Sequence, residues 1–214
     1  MSSEFGYIPE SPEQSFGNNK GIFTPTDIYD LTRADKFTQY GQLELIETIT
    51  LGTDTASIIF DEIQNTKYNV HLITYNNGVC DQSGNRLKLR FFESGVEETA
   101  SVYQYALQGA GTDTFTKAQS TGDDNIHLGV NTQVSGNWAD NGYIYIYNAG
   151  DNTKYTFTTQ HFATMYSVGS AFRSFFGSGV LPQTSSVDQF KIYASNGNIE
   201  TGLVASLYGI KEYS

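Results

Sequence analysis

The sequence predicts an all-β fold, a jelly-roll-like antiparallel β-sandwich carrying an extended N-terminal arm. Two observations predict the sandwich. Among 214 residues there are 21 Gly, 15 Tyr and 14 Phe, while charged residues are only 16%; helical chains use more Ala, Glu, Lys and Leu, whereas aromatic residues favour strands. Roughly ten short runs of strand character also follow one another between turn-forming clusters, the pattern of a sandwich or jelly roll. A third observation predicts the arm. Residues 1–42 contain Pro9, Pro12 and Pro25 and the polar run Gln14 to Lys20, and they hold no sustained period of either 2 or 3.6.

Within the arm, the sequence predicts one short helix, with Thr26 as its cap, Asp27 and Asp30 near its start, and Ile28 and Leu31 buried. Phe5, Tyr7, Ile8, Phe16, Ile22 and Phe23 make the rest of the arm too aromatic for an inert linker. Such side chains expect a surface to bury against, so they are the candidate anchor residues.

From Leu43 to the end, residues 43–214, the signal is β. Leu43 to Ile49 alternates with a slip at Ile46 that suggests a bulge. Ser57 to Phe60 and Tyr68 to Tyr75 follow. Arg86 to Phe91 alternates clearly, with Leu87, Leu89 and Phe91 on one face and Arg86, Lys88 and Arg90 on the other. In an acidic chain that basic stripe expects carboxylate partners on a neighbouring strand or subunit. Ser101 to Leu107 and a weaker run, Ile126 to Val134, come next. Gly142 to Tyr147 alternates again, placing Ile144 and Ile146 in the core and Tyr143, Tyr145 and Tyr147 outside. Asn148 to Asn152 makes a turn into Lys154 to Thr159. Ala171 to Phe176, Val187 to Tyr193 and Leu203 to Ile210 complete the set, with Gly177-Ser178-Gly179 as a tight bend.

The formal net charge is −11. A chain that acidic repels phosphates, so nucleic acid is not an expected partner. No window approaches the uninterrupted apolar length of a spanning helix, so no membrane insertion is expected. Met1-Ser2-Ser3-Glu4-Phe5 lacks the basic-then-apolar pattern of a secretory signal. The single cysteine, Cys80, excludes an intrachain disulfide and multi-cysteine zinc sites. Its neighbours Asn77 to Asp81 give no reason for a lowered pKa, so a loop or half-buried thiol is expected.

No catalytic constellation emerges, and none is expected; neither a metal nor a cofactor is expected. Gly177-Ser178-Gly179 does not complete a nucleophile elbow. His71, His127 and His161 are isolated in sequence. Glu44, Glu47, Glu93, Glu97 and Glu98 offer carboxylates, but no spacing selects a pair for glycoside hydrolysis. Asp123-Asp124-Asn125, Asp140-Asn141 and Asp151-Asn152 lack the alternating ligands and distal glutamate of a calcium loop and read as turn formers. Tyr143, Tyr145 and Tyr147, with Trp138, are the candidate binding residues, because a row of half-wet aromatic rings suits either a second copy of the chain or a sugar.

Several segments, in order, resemble small β-sandwich structural proteins of tailed bacteriophage virions. They are Gly17 to Phe23 with Asp27 to Leu31, Arg86 to Phe92 with the hairpin Glu93 to Val96, Ala100 to Tyr105, Tyr143 to Asp151, and Gly179 to Pro182 as a turn before Val187 to Tyr193. The last is Ser206-Leu207-Tyr208-Gly209-Ile210-Lys211. The resemblance implies a tail-fibre, fibre-like or head-decorating virion protein, made in the bacterial cytoplasm and working without catalysis. Its arm would bind other virion proteins, and a homotrimer would be its assembly state. A host-glycan receptor-binding module and a capsid decoration protein are alternative roles, and a polysaccharide depolymerase is the enzymatic one.

Overall fold

The computed structural model describes residues 14–15, 18–19, 24–34, 42–82, 84–128, 139–166 and 171–212. The chain divides into two compact units, Met1–Gln42 and Leu43–Ser214.

In the first unit, β1 (Gln14–Ser15) pairs antiparallel with β2 (Asn18–Asn19), and α1 spans Pro25–Arg33. Thr24 rather than Thr26 caps this helix. Its side chain accepts from the Asp27 amide at 3.2 Å, and the Asp27 carboxylate accepts from the Thr24 amide at 2.8 Å, a reciprocal capping box with Pro25 just inside the helix. Two threonines flank Pro25, and only the one before it leaves Asp27 at the third helical position. Ile28 is exposed and Leu31 half-buried, so the expected apolar face is not buried. The anchor candidates Phe5, Tyr7, Ile8, Phe16, Ile22 and Phe23 lie outside the described residues.

The second unit is an antiparallel β-sandwich. Its strands are β3 (Leu43–Thr50), β4 (Ser57–Phe60), β5 (Val70–Gly78), β6 (Leu87–Glu93), β7 (Val96–Glu97), β8 (Tyr103–Gly111), β9 (Phe115–Asp123), β10 (Ile126–His127), β11 (Asp140–Tyr147), β12 (Thr156–Tyr166), β13 (Ala171–Leu181), β14 (Val187–Ala194) and β15 (Val204–Ile210). The larger sheet has eight strands in the order β3-β15-β5-β11-β12-β13-β8-β9. The smaller has the order β10-β6-β14-β4, with β7 also paired to β6. The chain steps between sheets from β3 to β4 to β5 to β6, and again from β10 to β11 and from β14 to β15. The pairs β8–β9 and β12–β13 are hairpins that widen the large sheet.

Alternation decides which residues meet between the sheets. Ile73, Ile144, Ile146, Phe162, Phe175, Ala205 and Leu207 of the large sheet are buried with Ile58, Phe60, Leu89, Phe91, Phe190 and Ile192 of the small one in a single core. Phe91 and Phe190 meet edge to face at 5.8 Å, and His71 meets Phe190 at 5.3 Å. The buried Tyr103 hydroxyl accepts from the Phe91 amide at 3.0 Å, so its polar end is satisfied inside the core.

The slip at Ile46 is a bulge. Leu207 faces Glu47 while Tyr208 faces Leu45, leaving one extra residue on β3. The sequence reading omits β9, because Phe115 to Asp123 is mostly polar and holds no fully buried residue. The glycine bend is corrected. Gly177-Ser178-Gly179 is not a bend; it runs through the middle of β13, which continues to Leu181, so Gly179 to Leu181 is strand rather than turn. Of the run expected from Ile126 to Val134, Ile126–His127 is strand and Leu128 is not, and residues 129–138 lie outside the described residues, Trp138 among them.

Candidate functional site

Cross-strand register builds the site on the outer face of the large sheet. Side chains alternate faces along each strand, so the residues paired with Tyr143, Tyr145 and Tyr147 stand beside them. Tyr143 is paired with His161, His161 with Phe176, Phe176 with Gln108 and Gln108 with Lys117. This row is one wall. Tyr147 is paired with Phe157, Phe157 with Val180 and Val180 with Gln104, which forms the opposite wall. Between them, Thr159, Ser178, Ala106 and Gln119 form a middle row, closed at one end by Tyr145. Small side chains between larger ones make a trough that crosses the strands.

Three adjoining hollows of about 740, 700 and 580 Å³ follow this trough; the first two share Ala106 and Gln119, the last two share Phe176 and Gly177, and the first and third share Ser178. Thr159, Ser178 and Ala106 are exposed, so nothing described covers the floor. Tyr143 (41% exposed), Phe157 (45%) and Phe176 (48%) present ring surface to water. These are large apolar side chains left partly wet by a folded domain, the kind of surface that marks a binding face.

The walls are braced. The Tyr143 ring stands edge-on to Tyr145 at 5.7 Å and to His161 at 5.8 Å, and Tyr145 stacks with Tyr147 at 6.3 Å. His161 Nε2 lies 2.7 Å from Ser174 Oγ, and the Tyr147 hydroxyl lies 3.0 Å from that of Thr159. Beneath the floor, Gly177 lets β13 and β8 approach: a Cβ there would lie 2.1 Å from the Ala106 carbonyl oxygen. Among the described outward positions of β8, β9, β11, β12 and β13, Lys117 alone carries a permanent charge.

The sequence selects Tyr143, Tyr145 and Tyr147 correctly as an outward row, with Ile144 and Ile146 fully buried behind them. It misses Phe157, His161, Phe176 and Ser178. The alternation Phe172-Ser174-Phe176-Ser178-Val180 carried the signal, but the glycines within it read as a bend.

The other candidate groups are spread through the molecule. His71 is buried against the Ile63 carbonyl at 2.7 Å, and burial lowers its pKa. His127 is held down to about 4 by burial and by Arg86 and Lys88, and takes a hydrogen bond with Tyr105 at 3.0 Å. His161 stands in the trough wall, so the three histidines occupy separate environments. Arg90 of the basic stripe bonds Glu97 at 2.9 Å and pairs with Asp124, and Lys191 bonds the same Glu97 at 2.7 Å, the carboxylate partners the stripe expects. Cys80 lies between strands, as the loop alternative expects, but it is fully buried in the core rather than half-buried, and its backbone bridges to Ile199. Asp140 is not a turn residue; it begins β11 and is buried. Among the described residues no group of three or more His, Cys, Asp or Glu is placed to hold a metal ion, and no helix is long and apolar enough to cross a membrane.

Comparison of the sequence with protein-family models gives no match, and comparison with curated proteins gives none.

Proposed function

We propose that this chain is a structural component of a tailed-bacteriophage virion, anchored by residues 1–42 and projecting the sandwich of residues 43–214. The observation that carries the reading is strand order. β3-β15-β5-β11 faces β4-β14-β6-β10, and in chain order these eight strands alternate between the two sets except at β6 and β10, which are paired neighbours in the smaller sheet. This order supports the jelly-roll reading, two Greek keys folded into facing four-stranded sheets, an architecture used in viral shells and in lectins. The hairpins β8–β9 and β12–β13 are then additions to one sheet, and they build most of the trough. The fold analogy is joined by the ordered resemblance of short segments along the chain, which ends in Ser206 to Lys211.

In this reading the protein works by binding. The aromatic arm residues bury on another virion protein, three copies assemble, and repetition on the particle turns weak contacts into avidity. The test supplies full-length chain or residues 43–214 in trans to phage lacking the gene. Full-length protein co-purifies with particles while residues 43–214 stay soluble. Equal incorporation of both would remove the anchoring role, and absence of both from particles would remove the virion role.

A further inference from the structure

We propose that the trough crossing β9, β8, β13, β12 and β11 binds a single strand of uncharged polysaccharide, laid across the strands over Ala106, Ser178 and Thr159 between the ring faces of Phe176 and Phe157. The proposal goes beyond the virion reading, because it depends on the trough and not on where the protein is mounted.

Shape comes first. Neighbouring strands are ~4.8 Å apart, so the five strands give a channel ~19 Å long. The walls are four residues apart along each strand, so they stand ~13 Å apart between backbones. Side chains narrow this to a slot for one extended chain. A second copy offering the same face would bring wall against wall and leave the floor unfilled, which interfaces packed to interior density do not tolerate.

Chemistry selects the class of occupant. Sugar rings present apolar C–H faces and hydroxyl edges. Phe176, Phe157 and Tyr143 offer exposed apolar rings to the faces. The Ser178 and Thr159 hydroxyls and the Gln104, Gln108 and Gln119 amides offer donors and acceptors to the edges. Charge selects within that class. The trough holds no carboxylate among its described positions and a single cation, Lys117 at its β9 end. An acidic polymer would meet the field of a chain of net charge −11 with almost nothing to pair with, and a basic one would find no partner. An uncharged polyhydroxyl chain keeps its hydrogen bonding and loses no ion hydration on entry.

The experiment uses purified full-length protein on an array of neutral polysaccharides (dextran, mannan, galactan and N-acetylated glycans) and acidic ones (alginate, hyaluronan). The variants are Phe176→Ala, which removes an exposed ring, and Ser178→Trp, which fills the floor. Val96→Ala, on the small sheet, is the control. Folding of each is checked by circular dichroism and mass by light scattering. The expected result is binding to at least one neutral polysaccharide and no acidic one. Phe176→Ala should weaken it by about tenfold or more, the size of a truncated hot-spot contact. Ser178→Trp should abolish it and Val96→Ala should leave it unchanged. The proposal is overturned by wild-type protein that binds no neutral polysaccharide, or by binding that survives both trough variants. It is equally overturned if Ser178→Trp splits an oligomer, which would make a second copy the occupant.

Discussion

Glu44, near the start of the first strand of the sandwich, forms an ion pair with Lys211, the residue after the last strand. Lys67 reaches the same carboxylate at 2.9 Å, and Tyr68 donates its hydroxyl to it. One side chain thus ties β3, the loop entering β5 and the segment leaving β15. Hydrogen bonds from Lys211, Tyr68 and Lys67 hold the Glu44 carboxyl down to about 2.

The pH dependence of this tie follows from that depression. Glu44 is held below its unfolded value of 4.5, so its contribution is complete above about 4.5 and fades as pH falls toward about 2. Glu44→Gln should cost about 1 kcal/mol at neutral pH, a charge-assisted bond discounted for partial exposure. It should also flatten the acid limb of a stability–pH curve measured by urea unfolding. A Gln variant that loses stability equally at pH 7 and at pH 2 would contradict the account.

Asp140 makes the opposite prediction. Burial pushes its carboxyl up to about 7, and a hydrogen bond with Thr164 acts the other way. The unfolded chain ionises this group near 3.8 while the folded chain does not, so its cost to stability grows from about pH 4 and is complete above about pH 7. Asp140→Asn should therefore stabilise the protein by on the order of 2 kcal/mol at alkaline pH. The gain should shrink toward zero as pH falls to about 4. Thermal unfolding at several pH values measures both limits.

Gly209 explains a glycine in the resemblance motif Ser206 to Lys211. A Cβ there would lie 2.3 Å from the Tyr68 ring. That ring cannot swing away freely, because its hydroxyl is bound to Glu44. Gly209→Ala should cost about 1–3 kcal/mol through overpacking. In a double-mutant cycle, Tyr68→Ala should recover part of the loss, whereas full additivity would show that the two sites do not touch.

Among the described residues, the buried core cluster lies in the second unit, from Ile58 to Leu207. Residues 43–214 expressed alone should unfold cooperatively, with a midpoint within a few degrees of the full chain. A broad, non-cooperative transition would place part of the core in residues 1–42.

The fold class was legible because alternation survives where one face is buried. Leu87-Leu89-Phe91 and Ile144-Ile146 both point into the core, and their partners point out. The extra residue at Ile46 showed for the same reason. Legibility failed where both faces have similar polarity or where glycine serves packing. β9 has no fully buried residue to mark a period, and the glycines of β13 are required by close approach to Ala106 and Ile126 rather than by a turn. The site was half legible on the same grounds. Tyr143, Tyr145 and Tyr147 alternate within one strand, whereas Phe157, His161 and Phe176 join them only through the register of two strand pairings, which no local pattern encodes.

The central proposal, that this is a virion component, is tested most directly by quantitative mass spectrometry of gradient-purified particles from the phage that the proposal says encodes it. The account predicts the intact chain at a fixed number of copies per particle, retained through repeated purification at high salt. Peptides confined to the infected-cell lysate, with none in the particle band, would contradict it.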